Sequence, residues 1–203
     1  MGAVEPSWNV PGSMTCWKAC TLDRAVSNFE TFKNHPSVLF WSLGNESYAG
    51  DVLREMNRYY KEKDPDRLVH YEGVFHNRSY EDVISDMESQ MYTSPENVKE
   101  YLENNPKKPF ILCEYMHDMG NSLGGMESYM RLLDQYENYQ GGFIWDYIDQ
   151  ALLVKDEVTG RDVLRYGGDF DDRPSDYEFS GNGILFADRT EKPAMQEVRH
   201  YYG

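Results

Sequence analysis

The stretch ILCEYMHDMGNSLGG, residues 111–125, runs from three apolar residues directly into a glutamate. Ile111, Leu112 and Cys113 predict a buried strand, and a buried strand has no structural use for a charged Glu114 near its end. A tyrosine, a histidine and a glycine-rich segment follow. Glu114 is therefore either a solvated strand terminus or a carboxylate held in a pocket for chemistry.

This strand is one of five predicted strands that alternate with helices. The other strands are SVLFWSLGNE (37–46), RLVHYEG (67–73), a weaker one within 83–92, and GGFIWDYIDQ (141–150). Helices are predicted over 21–35 (capped by Thr21 and ended by Pro36), 51–62, from Ser94-Pro95 through Leu102, and 122–137. Strict alternation of this kind predicts β-α units with a parallel sheet.

The predicted organisation is a single domain over residues 1–203. Residues 1–20 read as a loop, residues 21–150 as the β-α units, and residues 151–203 as a long active-site loop followed by a closing helix. The loop contains YGGDFDDRPSDYEFSGNG, which is rich in Gly and Asp and has no periodicity. Long ordered loops in compact domains are often functional.

Net charge, apolar runs and cysteine count argue against several classes of protein. The formal net charge is −15, which disfavours nucleic-acid binding because phosphates would be repelled. No apolar run approaches the roughly 20 residues that a bilayer-spanning helix needs, so no membrane partner is expected. The three cysteines cannot all pair within one chain, which argues against a disulfide framework.

Carboxylates recur at the predicted strand ends. Glu46, Glu72 and Glu114 each lie at the end of a strand, and a further strand carries Asp146 and Asp149. The carboxyl ends of parallel strands converge on one ligand site. A pair of carboxylates there suits glycoside hydrolysis, in which one protonates the leaving oxygen and the other is ionised.

The plainer interpretation of each such residue is a solvated strand end, and a metal site is a further alternative. Local chemistry favours sugar binding. Asn45 can donate to a hydroxyl, His117 can bind a hydroxyl or tune the carboxylate, and Trp145 offers a face for stacking. Each of these three residues would also fit an ordinary structural role on its own.

Longer motifs carry a resemblance to a known family. NHPSVLFWSLGNES (34–47) resembles the acid/base motif of glycoside hydrolase family 2. ILCEYMHDMGNSLGG and QGGFIWDYIDQALL (140–153) resemble the nucleophile region of the bacterial β-galactosidases in that family, and YGGDF and NGILFADRT continue the match. The resemblance runs in order from about residue 21 to the C-terminus.

The resemblance implies a (β/α)8 TIM barrel, an α/β fold of which this chain holds about the last five β-α units. It implies a retaining hydrolase of terminal β-D-galactosides, with Glu46 as general acid/base and Glu114 as nucleophile. Asn45 and Tyr92, together with His117 and Trp145, match sugar-site positions. The alternatives are a non-catalytic fragment or oligomeric folding unit, or a related β-glucuronidase or β-mannosidase.

Cofactors and partners follow from the same resemblance. It implies Mg²⁺ near Glu46, with the other Mg²⁺ ligands outside this chain. It also implies a monovalent cation, Na⁺ or K⁺, on Asn182 and the carbonyl of Phe179. The expected partners are a β-galactoside substrate and either a homo-oligomer or the remainder of the parent enzyme. A cytoplasmic location is expected, and any signal would precede this chain.

Overall fold

A computed structural model describes residues 9–120 and 122–203, and these fall into two compact units. Unit 1 contains residues 9–91 and 102–111. Unit 2 contains residues 92–101, 112–120 and 122–203. The first eight residues of the predicted loop at 1–20 lie outside the described residues, as does Asn121.

Helices and strands alternate through most of the chain. In order they are α1 (Thr15–Phe32), β1 (Phe40–Ser42), α2 (Asp51–Lys63), β2 (Leu68–His70), α3 (Glu81–Ile84), β3 (Glu88–Met91), α4 (Pro95–Glu103), β4 (Phe110–Tyr115), α5 (Met126–Gln135), β5 (Tyr139–Ile144), β6 (Leu152–Lys155), β7 (Asp162–Arg165) and α6 (Met195–Tyr202). Short 3₁₀ turns cover Gly73–His76, Arg78–Tyr80 and Tyr177–Ser180.

In unit 1 the first two strands are parallel, as the alternation predicts. Phe40 pairs with Leu68 and Ser42 pairs with His70. Strand β3 neighbours β4, whose first residues belong to this unit, and the Glu88 N–H donates to the Pro109 carbonyl at 2.9 Å. The strands whose ends carry the candidate residues are therefore held together by regular backbone hydrogen bonds.

Trp41 of β1 lies at the centre of the unit 1 core and is 1% exposed. Its ring stacks on Tyr60 of α2 at 5.3 Å and meets Phe29 of α1 at 5.5 Å, measured between ring centroids. The indole N–H donates to Asp64 at 3.0 Å, so the polar edge of a buried aromatic ring keeps a hydrogen bond. Both helices are thereby held against the strand that leads to Glu46.

Helix α1 begins at Thr15, six residues before the predicted start at Thr21. Met14 precedes the helix and supplies no side-chain cap, so the usual start signal is missing. The Thr21 hydroxyl does not cap; it donates to the Trp17 carbonyl at 2.7 Å, four residues back. Residues 15–20 are exposed and lack an apolar stripe, which is why the sequence predicted a loop over them.

Unit 2 packs helices α5 and α6 beside the second half of β4 and strand β5. Tyr115 of β4 is fully buried, and its hydroxyl is hydrogen-bonded to the hydroxyl of Tyr202 in α6. The Tyr202 hydroxyl also donates to the Gly142 carbonyl of β5 at 3.2 Å. Gly142 lies so close to β4 that an added Cβ would meet the Leu112 Cβ at 3.0 Å. The end of β4 is thus tightly constrained.

Two further features of unit 2 differ from the prediction. Helix α5 starts at Met126 rather than near 122 because Gly125 takes a left-handed conformation (φ 74°) just before it. The segment after residue 150 is not all loop. Strands β6 and β7 form an antiparallel hairpin in which Leu152 pairs with Arg165. Residues 166–183 are irregular apart from one 3₁₀ turn, as expected.

The architecture is α/β. Across residues 9–120 and 122–203 the strands form sheets of two, three and two strands, none of them closed, which is consistent with part of a barrel. None of the helices described is long and apolar enough to cross a bilayer.

His70 is a buried polar residue that ties strands together in unit 1. Its Nδ1 lies 3.1 Å from the Ser42 hydroxyl and its Nε2 lies 2.7 Å from the Ser89 hydroxyl. A neutral imidazole can donate at one nitrogen and accept at the other, so both contacts suit the uncharged ring. Burial lowers the pKa of His70 to about 4.

We predict that this residue makes unit 1 less stable in mild acid. The unfolded state binds a proton below about pH 6.5, whereas the folded state does so only near pH 4, so stability is lost as the pH falls between these values. The free energy of unfolding should drop by about 2 kcal/mol from pH 7 to pH 5 on account of His70. Urea titrations at both pH values measure it.

The matched controls are two single histidine variants. His70→Gln should lose this part of the pH dependence, whereas His35→Gln, at an exposed position, should keep it. Equal pH dependence in wild type and His70→Gln would contradict the prediction.

Candidate active site

Glu114 is the fifth residue of β4. Ile111 and Leu112, which lie earlier on that strand, are buried. The Tyr92 hydroxyl donates to its Oε2 at 2.7 Å. The Tyr92 backbone N–H also donates to the Glu114 carbonyl, at 2.9 Å. Tyr92 is therefore fixed to Glu114 through both main chain and side chain, and its hydroxyl stabilises the ionised carboxylate.

Aromatic contacts extend from this pair toward the C-terminal segment. The His117 ring lies 5.6 Å from the Tyr92 ring and 6.2 Å from the Phe179 ring, edge to face in both cases. Tyr92 and Phe179 are 44% and 58% exposed, so this face of unit 2 is open. The predicted residues Glu114, Tyr92, His117 and Phe179 thus form one connected group.

Backbone hydrogen bonds continue beyond the ends of β4 and β5. The Trp145 N–H donates to the Tyr115 carbonyl, and the Asp118 N–H donates to the Trp145 carbonyl, both at 3.0 Å. These two bonds hold the segment that carries Glu114 and His117 beside Trp145. The Trp145 side chain is 36% exposed, so its ring is available to a ligand.

A second backbone connection fixes residues 180–185 against the segment after β5. The Asp146 N–H donates to the Asn182 carbonyl at 2.8 Å, and the Ile184 N–H donates to the Asp146 carbonyl at 3.0 Å. Gly183 has no room for a side chain, since an added Cβ would lie 2.3 Å from the Asp149 nitrogen. The segment that carries Asn182 is therefore tightly seated.

A mostly buried ion pair strengthens this connection. Lys192 lies 2.8 Å from the Asp149 carboxylate, with their side chains 10% and 16% exposed. The same Asp149 oxygen accepts the Gly183 N–H at 2.8 Å, and Lys192 also donates to the Gly181 carbonyl at 3.3 Å. The pair therefore links the two segments through side chains as well as backbone.

Asn182 is almost fully buried, at 2% exposed. Its amide N–H donates to the Phe179 carbonyl, and its Oδ1 has no hydrogen-bond partner among the described residues. Asp118 Oδ2 and Asp146 Oδ1 are buried and unpartnered in the same sense. An orphaned amide oxygen next to a backbone carbonyl is a donor set that suits a hard cation such as Na⁺ or K⁺.

Two aspartates near this segment have raised pKa values. Burial raises the pKa of Asp118 to about 6, and the charge of Asp149 adds to this while Lys192 opposes it. Burial and Asp149 likewise raise the pKa of Asp146. Burial disfavours the charged form of a carboxyl, which is the main reason that both pKa values rise.

The remaining predicted residues, Asn45 and Glu46, lie in unit 1 directly after β1. Both are exposed. The Glu46 N–H donates to the Glu72 carboxylate, and the Asn45 carbonyl accepts the Ser47 hydroxyl at 3.1 Å. Glu46 has a left-handed backbone, with φ at 50°. Within residues 9–120 and 122–203, no group of three or more His, Cys, Asp or Glu side chains is arranged to hold a metal ion.

Sequence reasoning missed Asp118 and Lys192, and it noted Glu72, Asp146 and Asp149 without giving them a role in the site. Asp118 follows His117 immediately, and an acidic residue beside a candidate sugar ligand is a usable signal. Lys192 lies 43 positions after Asp149, so only the folded chain brings them together.

Comparison with known proteins adds to this geometry. The family model for glycosyl hydrolases family 2, TIM barrel domain, matches residues 1–203. The chain is 74% identical to the beta-galactosidase large subunit of Latilactobacillus sakei over 203 residues, which are all of this chain and 32% of that protein. It is 61% identical to a beta-galactosidase of Halalkalibacterium halodurans over 202 residues, 100% of this chain and 20% of that protein.

Solved structures agree on the fold. A family 2 beta-galacturonidase from Eisenbergiella tayi, bound to galacturonate, superimposes with a TM-score of 0.58 at 16% identity, over 93% of this chain and 37% of that one. A beta-glucuronidase from Faecalibacterium prausnitzii gives 0.55 at 17% identity, over 90% and 34%. At such identities the likeness concerns the fold alone.

The chain spans a fifth to a third of the length of the two curated relatives. Its match to the family model is complete. Together with the carboxylates at the ends of its strands, this places the chain in the TIM barrel domain family of the family 2 glycosyl hydrolases.

Proposed function

We propose that this chain is the catalytic part of a retaining β-galactosidase. The observation that carries the proposal is the Tyr92 hydroxyl donating to Glu114 at 2.7 Å, at the end of a buried strand. A carboxylate oriented in this way is suited to act as a nucleophile. The name beta-galactosidase on relatives at 61% and 74% identity supports galactose as the sugar.

In the proposed reaction, Glu114 attacks the anomeric carbon while Glu46 protonates the departing oxygen. A covalent glycosyl-enzyme forms, and water activated by Glu46 then releases the sugar. Tyr92 keeps the Glu114 carboxylate oriented and charged until attack. The two carboxyl groups should lie about 5–5.5 Å apart, since the retaining geometry leaves no room for a water between them.

The sugar would be held by groups beside the nucleophile. His117 can donate to or accept from a hydroxyl, and Trp145 offers a partly exposed ring to the apolar face of galactose. Asn45, next to Glu46, supplies an amide for hydroxyls near the scissile bond. Such groups also strengthen binding of the transition state over the ground state.

We propose that the enzyme binds two cations. The Asn182 Oδ1 and the Phe179 carbonyl would hold a monovalent cation, which would add positive charge near the sugar site. Glu46 would serve as one oxygen ligand of Mg²⁺, with the others supplied by further parts of the enzyme.

We further propose that the substrate is a terminal β-galactoside and that the chain works in the cytoplasm as part of a larger, homo-oligomeric enzyme. The rival sugar assignments are β-glucuronide and β-mannoside. The low identity to glucuronidases of known structure gives those assignments less support than the galactosidase relatives give galactose.

Replacing the nucleophile is the first test. Glu114→Gln in the full-length gene product should lower kcat/KM for o-nitrophenyl β-galactoside by at least about 10³-fold, because no glycosyl-enzyme can form. A 2-deoxy-2-fluorogalactoside with a reactive leaving group should label wild-type Glu114, as seen by mass spectrometry of the peptide. Labelling at another residue, or faster hydrolysis of a glucuronide, would refute the proposal.

The role of Tyr92 gives a second prediction. Tyr92→Phe removes a hydrogen bond to a charged group, which is worth roughly 1.5–3 kcal/mol, so kcat should fall about 10- to 100-fold. Tyr129→Phe is the matched control, because that hydroxyl donates to a neutral carbonyl, Thr93, at 3.0 Å. An equal loss in both variants would argue against a special role for Tyr92.

The rival hypothesis of a non-catalytic fragment has its own test. The 203 residues of this chain can be expressed alone and also substituted for the matching 202 residues of the Halalkalibacterium halodurans enzyme. We expect the substituted enzyme to hydrolyse galactosides and to lose this on Glu114→Gln. Activity of the chain alone, abolished by the same change, would exclude the fragment hypothesis.

A further inference from the structure

Glu72 is a buried carboxylate for which the proposed reaction has no use. It lies two residues after the end of β2, close to the strand end where the sequence pattern placed it, and it is 2% exposed. A charged side chain is rarely buried this deeply unless its oxygens are engaged. Its position within unit 1 therefore calls for a partner that benefits from the charge.

One partner is the backbone of Glu46. The Glu46 N–H donates to Glu72 Oε1. An ionised carboxylate only accepts hydrogen bonds, and a bond to a charged acceptor is roughly twice as strong as a neutral one. The contact fixes the main chain of the residue whose side chain would protonate the leaving group.

The backbone at Glu46 needs such support. Its φ of 50° lies in the left-handed region, which residues other than glycine seldom adopt. Sparsely populated conformations of this kind persist only where surrounding contacts determine them. The carboxylate of Glu72 supplies one of those contacts from a different β-α unit.

The neighbours of Glu72 hold the next residue in the same way. The Ser47 N–H donates to the Tyr71 hydroxyl at 2.8 Å, and that hydroxyl donates to the Ser47 carbonyl. Gly73 lies so close that an added Cβ would be 2.5 Å from the Ser47 carbonyl oxygen. Residues 71–73 thus each contact the main chain of residues 46–47, through hydrogen bonds of Tyr71 and Glu72 and through close packing of Gly73.

We infer that Glu72 is a positioning residue that sets the location of the Glu46 carboxyl relative to the leaving oxygen. The inference rests on the proposed function, in which Glu46 is the general acid. A general acid must lie within hydrogen-bond reach of the atom it protonates. A displacement of about 1 Å can cost on the order of 10²-fold in rate.

The test compares two galactosides in the full-length gene product. Lactose has a poor leaving group and depends on protonation, whereas 2,4-dinitrophenyl β-galactoside releases a stable anion without it. Glu72→Met keeps the length of the side chain and removes the acceptor. It should lower kcat/KM for lactose about 100-fold and for the dinitrophenyl substrate less than about tenfold.

A second variant keeps the test decisive if Glu72→Met does not fold. Glu72→Gln retains an acceptor oxygen without the charge, so it should show a smaller selective loss, about tenfold on lactose and little on the dinitrophenyl substrate. Glu88→Gln is the matched control. Glu88 is also buried in unit 1, but it binds the Arg78 guanidinium at 2.6 and 2.8 Å. It should affect both substrates equally or not at all.

The outcomes separate this inference from the proposed function. Selective loss on lactose in a folded Glu72 variant, with none in Glu88→Gln, supports the positioning role. Equal losses on both substrates, or no loss in any Glu72 variant that folds, would overturn it while the proposed function stands. A wild-type enzyme that is inactive on both galactosides would overturn the proposed function and this inference together.

Discussion

The candidate site of unit 2 depends on backbone hydrogen bonding that continues after its strands end. Buried N–H and carbonyl groups must find partners. Here Tyr115, Trp145 and Asp118 are joined in sequence, and Asp146 is joined to Asn182 and Ile184. Because these main-chain groups pair with one another, they do not require hydrogen bonds from the side chains of Glu114, His117 and Trp145. The backbone around the site is therefore irregular, and its conformation is fixed by these hydrogen bonds.

Unit 1 solves the corresponding problem with side chains. After β1 the main chain turns through Glu46, which has a left-handed backbone. The Tyr71 hydroxyl and the Glu72 carboxylate accept the backbone N–H groups of Ser47 and Glu46. Both acceptors follow β2, in the next β-α unit along the chain. The main-chain conformation after β1 therefore depends partly on residues of that unit.

Much of the fold could be predicted from the sequence, because apolar strands such as the one before Glu114 and the apolar faces of α2 and α5 are local signals. The carboxylates at strand ends were equally visible. The start of α1 was not, since Met14 carries no capping group and residues 15–20 are exposed. The hairpin after residue 150 was also missed. Its strands are four residues each and largely exposed, so no buried pattern marks them.

The candidate site residues were visible in the sequence, whereas the contacts between them were not. Glu114 and Tyr92 are 22 positions apart, and Asp149 and Lys192 are 43 apart. No periodicity relates residues at such distances, and only the folded chain brings their polar atoms together. The same is true of the orphaned oxygen of Asn182, since whether an amide is satisfied depends on all of its neighbours.

The contacts between residues 71–73 and residues 46–47 limit where relatives of this chain can be recombined. These contacts join two consecutive β-α units, and Gly73 lies too close to the Ser47 carbonyl oxygen to carry a side chain. A crossover point between β1 and β2 would pair a turn from one parent with supports from another. Crossovers before residue 37 or after residue 76 would inherit turn and supports together. In shuffled libraries, the segment between these points should therefore be treated as one exchangeable block.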